Sequence, residues 1–142
     1  MSDIKLNQYY NLFNATKGYT ELLFRSGKVL QSQELNEMQR MLKNQIKNVG
    51  NTILTNGDTI EGCQLVFNEN NEVIVTKGKV YLEGDVRTLN DTRLTIKGKG
   101  TEVIGIKLTK EIISPSEDKD LLDISTGYDN YNQDGAYRLK ET

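Results

Sequence analysis

Between Ser32 and Val49 apolar side chains recur at spacings of three and four. Leu35, Met38, Leu42, Ile46 and Val49 form one stripe, with Met41 beside it. A strand repeats every two residues, so this period predicts an amphipathic helix. The flanks agree. Ser32 suits the N-cap, Gln33 and Glu34 the positive first turn, Lys43 and Lys47 the last turns, and Gly50 the C′ position. A helix of this kind has to cover its stripe. The ordinary solution is the domain's own sheet. The alternative is a self-association seam, because Leu35, Leu42 and Val49 also fit a heptad. That pattern spans only about 2.5 heptads, short of the three or four that define a coiled coil, and Gln45 falls at a core position of it.

Downstream the period changes to two. Val73 and Val75 alternate with Glu72, Ile74 and Thr76; Val80 and Leu82 with Lys79, Tyr81 and Glu83. Leu94 and Ile96 alternate with Arg93, Thr95 and Lys97, and Ile104, Ile106 and Leu108 with Val103, Gly105 and Lys107. Asn56-Gly57, Asn70-Asn71, Lys77-Gly78, Glu83-Gly84 and Lys97-Gly98 punctuate the runs as turns. The expected fold is α+β: an N-terminal arm (1–31), one amphipathic helix (32–50), a small antiparallel β-sandwich or open barrel (51–113), and an extended polar C-terminal tail (114–142). Ala136–Lys140 reads as the start of one further strand, which either continues into a longer protein or completes a neighbour's sheet.

The arm is rich in Tyr, Leu and Phe without a clean period, and Asn14, Lys17 and Gly18 interrupt it. Such a segment either folds back on its own domain or lies on a partner, where aromatic side chains are favoured anchors. Its candidate partner-binding residues are Tyr10, Phe13, Tyr19, Leu23, Phe24, Arg25 and Leu30. The candidate self-association residues are Leu35, Met38, Leu42, Ile46 and Val49.

Composition narrows the chemistry. The 142 residues contain no His and no Trp, which removes His-based acid–base catalysis and His metal ligation. A net charge of −2 argues against general nucleic-acid binding. Only 36% of residues are hydrophobic, so part of the chain is expected outside any core. Cys63 has no internal partner and, beside Leu65 and Val66, reads as a buried inert thiol. Met1–Gln8 lacks the apolar core of a signal peptide, and no apolar run reaches the roughly 20 residues of a membrane span. A soluble protein made in a cytoplasm is expected, with no membrane contact. Gly98-Lys99-Gly100-Thr101 lacks the spacing of a phosphate loop and reads as a hairpin turn. The acids Glu117, Asp118, Asp120 and Asp123 lack the ligand pattern of a calcium loop and read as solvated charge. No nucleophile has a base near it in sequence. No catalytic activity, metal or cofactor is expected. Residues 93–110 carry five cations against one acid and residues 111–123 one cation against five, so the acidic tail could lie across the basic strands.

Tyr10–Asn14, Lys17-Gly18-Tyr19, Leu23–Gln31 and Glu34–Gln39 resemble a domain of unknown function at the start of tail-fibre and baseplate-associated proteins of tailed bacteriophages. The similarity continues through Gly62-Cys63-Gln64, Lys77–Gly84 and Val86-Arg87, with a fainter echo at Tyr131-Asn132 and Gly135–Leu139. It implies a structural role in the phage tail, assembled in the bacterial host, with other tail or baseplate proteins as partners. The fibre-like resemblance also favours a homo-oligomer, a trimer first. Two other classes stay open. A nucleic-acid-binding barrel would need stacking aromatics, but only Phe67 and Tyr81 lie in the β region. A carbohydrate-binding module would need paired acids or an aromatic platform.

Overall fold

A computed structural model describes residues 9–142. Residues 1–8 of the expected arm lie outside the described residues. The fold is α+β: the described residues form one α-helix and eight antiparallel strands in small sheets. The chain forms two compact units, described in turn: one through Ile106, the other Lys107–Thr142.

In the first unit the helix α1 spans Ser32–Gly50. Gln31 is its N-cap, one residue before the expected position, and the Glu34 carboxylate accepts the Gln31 N–H at 2.8 Å. Gly50 is the last helical residue and not a left-handed C′ glycine. Its role is steric, since a β-carbon there would collide with the Tyr81 hydroxyl. The Tyr81 hydroxyl lies 2.9 Å from Asn51 Oδ1 and 3.3 Å from the Lys47 carbonyl oxygen, which ties the helix end to the sheet.

Six strands follow: β1 (Thr59–Gly62), β2 (Leu65–Asn68), β3 (Glu72–Val75), β4 (Gly78–Leu82), β5 (Asp85–Leu89) and β6 (Thr92–Thr95). They pair in the orders β1-β4-β5 and β2-β3-β6. The registers show that these are two halves of one meander. Gly62 faces Gly78 and Leu65 faces Val75, so Cys63 and Gln64 fall opposite Lys77 and Thr76 without a slip. Gly78 faces Leu89 and Val75 faces Thr92, so the third strand keeps step too. All three strands bend at one level.

Lys77-Gly78, expected as a turn, is therefore the bend of the central strand. Its cause is local. A β-carbon on Gly78 would collide with Glu61 O and Cys63 N. Cys63 sits at φ 54°, and Asp91 Oδ1 accepts the Lys77 N–H at 2.6 Å. Cys63 is half-buried at this bend, less enclosed than expected. The true hairpin turns are at residues 69–71 and at Glu83-Gly84, both of which have positive φ. The buried apolar side chains of this unit are Met41, Val73, Val80 and Tyr81. The central strand carries three of them, because it alone has a neighbour on each side. Tyr81, expected to alternate outward, faces the helix end.

The run Val103–Leu108 was expected as a strand and forms none. Its alternation is real, but among the described residues no strand lies beside it to complete the ladder.

In the second unit β7 (Lys110–Ile113) pairs with β8 (Arg138–Glu141), and Thr109 and Thr142 exchange backbone hydrogen bonds at the end of the ladder. The strand anticipated at the C-terminal end thus pairs inside its own chain. Between the two strands the polar stretch is folded into local turns, where an extended tail was expected. Lys119–Leu121 forms a single 3-10 turn, and Leu121–Asp123 bonds to residues 132–135 across a loop. Cross-strand pairs Lys110–Glu141 (3.2 Å) and Lys140–Glu111 (2.9 Å) decorate the ribbon.

Candidate functional site

Among the described residues of the arm, the Asn14-capped 3-10 turn at Ala15–Lys17 is the one regular element before α1. Asn14 Oδ1 accepts the Thr16 N–H at 2.9 Å, and Gly18 ends the turn in the left-handed region. Two helix side chains hold the arm by its backbone: Asn36 Nδ2 donates to Tyr10 O at 3.2 Å and Gln45 Nε2 to Thr20 O at 3.5 Å. The arm returns to the helix start through a turn in which Lys28 N–H bonds Arg25 O, with Gly27 at φ 74°.

That return builds a cleft of about 360 Å³ lined by Leu23, Phe24, Arg25, Lys28, Val29, Leu30, Glu34 and Leu35. Four of the seven proposed anchors, Leu23, Phe24, Arg25 and Leu30, meet here, together with Leu35 of the helix stripe. The walls are open to solvent: Leu23 is 83% exposed, Val29 88% and Phe24 54%. Arg25 and Lys28 add two cations, while Glu34 is engaged at the helix start. The other three anchors lie elsewhere on the arm. Tyr10 and Tyr19 are exposed, with the Lys17 ammonium 5.8 Å from the Tyr19 ring centre, and Phe13 is half-buried. Val29, which sequence reasoning did not single out, also lines the cleft. Its position between Lys28 and Leu30 gave no periodic signal.

The helix stripe is the larger surprise. Leu35, Met38, Leu42, Ile46 and Val49 are 38–65% exposed. The expectation that they pack on the domain's own sheet is not met. Met41, which is only 5% exposed, is the residue α1 turns inward. At about 100° per residue the stripe's centre lies roughly 90° around the helix from Met41. One arc of the helix is spent on its own chain and the adjacent apolar arc is left over.

Among the described residues no group of three or more His, Cys, Asp or Glu could hold a metal ion. The acids of 117–123 stabilise turns: Glu117 accepts the Ser114 N–H at 2.8 Å, Asp118 the Asp120 N–H at 3.1 Å, and Asp123 the Ser125 N–H at 2.7 Å. Hydrogen bonds from the Ser114 backbone and hydroxyl hold Glu117 below its usual pKa, and bonds from Ser125 do the same for Asp123. Glu111 pairs with Lys140, whose pKa the pairing raises, so this acid is engaged inside the ribbon. Glu61 is likewise lowered, by its bond to Lys79. No described helix is long and apolar enough to cross a membrane.

No curated protein and no solved structure matches the chain. One family model does, over residues 7–142, which takes in the arm, the helix, the bent meander and the C-terminal ribbon alike. The chain belongs to that family, described as a domain of unknown function, DUF4815.

Proposed function

We propose that this chain is a structural component of a tailed-phage virion, in the tail fibre or baseplate. In this reading the cleft at Leu23–Leu35 docks another tail protein, and the α1 stripe joins copies of the chain, as a trimer. The observation that carries it is the continuous exposure of apolar side chains from the cleft along one side of the helix. Folded monomers seldom leave large apolar patches bare, and contiguous ones mark interaction surfaces. The resemblance to tail-fibre and baseplate-associated domains supplies the phage setting and the preference for a trimer. Arg25 suits the cleft because its planar guanidinium can satisfy a partner's carboxylate or carbonyls where the walls are apolar.

The test is the double variant Phe24→Ala, Arg25→Ala. Central anchors of this type each contribute about 2 kcal/mol or more to an interface. The β meander should stay folded by circular dichroism while incorporation into assembled tails is lost. Unfolding of the purified variant would assign these side chains to the chain's own stability and end the docking reading.

A further inference from the structure

Two features of the first unit and its continuation have no strand beside them on at least one side among the described residues, and they match. The first is the run Thr101–Leu108, in which Ile104, Ile106 and Leu108 alternate with Val103, Gly105 and Lys107. Among the described residues, no backbone–backbone hydrogen bond reaches residues 98–108, although the Glu102 carboxylate accepts the Lys97 N–H at 2.6 Å. Val103 is 92% exposed, and a β-carbon built on Gly105 meets nothing within 4 Å. A glycine inside a strand pattern marks a place where another backbone approaches closely. The second is β2. It pairs with β3 on one side only, and Leu65, Val66 and Phe67 are exposed in succession, which means on both faces of the strand. Natural edges are guarded by charge, proline or short length. Here only the length is modest.

Charge selects between the two edges of the meander. Residues 60–72 around β2 contain Glu61, Glu69 and Glu72 and no cation, a net of −3. Residues 97–108 contain Lys97, Lys99 and Lys107 against Glu102, a net of +2. The opposite edge, residues 85–95, carries Arg87 and Arg93 against Asp85 and Asp91, a net of 0. The β5–β6 edge it emerges from offers the basic run no net attraction, whereas the acidic β2 edge on the far side of the sheet does. A second copy presents that edge directly.

We propose that Val103–Ile106 of one copy adds as a fourth strand to β2 of a second copy. Four residues meet four. Main-chain hydrogen bonds supply the affinity, and the opposite charges steer encounter and register. Phe67 gains cover from the incoming backbone near Gly105. The proposal rests on the self-association reading only in needing two copies; it uses a different surface from the α1 stripe.

The test uses the full chain carrying Cys63→Ser, Phe67→Cys and Ile106→Cys, treated with a short bis-maleimide that tolerates a slip of one or two residues. Covalent dimers and larger species should form at least tenfold more than in either single-cysteine variant. Adding Ile104→Pro, which removes a ladder N–H, should reduce them about tenfold. Cross-linking confined to monomers, or no excess over the single variants, overturns strand exchange. Light scattering on the same samples separates the two readings. Oligomers without the cross-link leave the helix seam standing and remove the strand, whereas monomers at every concentration remove both.

Discussion

Leu42→Ala should weaken association far more than it weakens the fold. Removing three carbons from a fully buried leucine forfeits about 2.4 kcal/mol, at about 0.8 kcal/mol per carbon. Leu42 is 52% exposed in the single chain, so association can cover about half of that side chain. The loss per copy is then about 1.2 kcal/mol. Three copies in a trimer give about 3.6 kcal/mol, a few hundred-fold in the overall dissociation constant. Met41→Ala is the internal control. Met41 is buried against its own chain, so its truncation should cost about 2–5 kcal/mol of folding stability. Sedimentation equilibrium across a concentration series reads the first quantity and urea unfolding of the monomer reads the second. If Leu42→Ala leaves the association constant untouched, or if it destabilises the monomer as much as Met41→Ala does, the division of α1 into an inward arc and a free arc is wrong.

Three further outcomes are expected. Gly50→Ala should destabilise by about 1–3 kcal/mol in urea unfolding despite better helix propensity, and Tyr81→Phe in the same chain should recover part of the loss by removing the colliding hydroxyl. Gly78→Ala should cost about 3 kcal/mol, seen as a lowered thermal midpoint, since its β-carbon would press on backbone atoms of Glu61 and Cys63. Glu117 and Asp123 have folded pKa values below their unfolded ones, so their stabilisation is complete above the unfolded values and is lost as pH falls through the folded ones. The Ser114 and Ser125 amide signals should therefore shift on acidification below about pH 4.5 and 3.8 respectively, and signals that stay fixed through that range would refute the two turn bonds.

The sequence by itself determined the local elements. The 3.6-residue stripe places α1 within one residue of its start, because capping and side-chain period are properties of neighbouring residues. Asn56-Gly57, Asn70-Asn71 and Glu83-Gly84 mark real turns for the same reason: positive φ is a single-residue preference. The cluster Leu23-Phe24-Arg25 with Leu30 is also legible as a set of anchors, since apolar and aromatic side chains around a Gly turn need no fold to be noticed. Tertiary structure decided everything that depends on what stands opposite. Lys77-Gly78 carries the signal of a turn, yet Gly62 across the register and the Asp91 side chain make it a bend in one long strand. Gly50 signals a C′ residue, yet the Tyr81 ring explains it. Val103–Leu108 has the period of a strand and, among the described residues, none of its ladder hydrogen bonds, because a strand exists only beside another. The side of α1 that faces the chain was likewise closed to sequence reasoning. Met41 and Leu42 are adjacent and equally apolar, and only the path of the arm and the meander sends one inward and leaves the other bare.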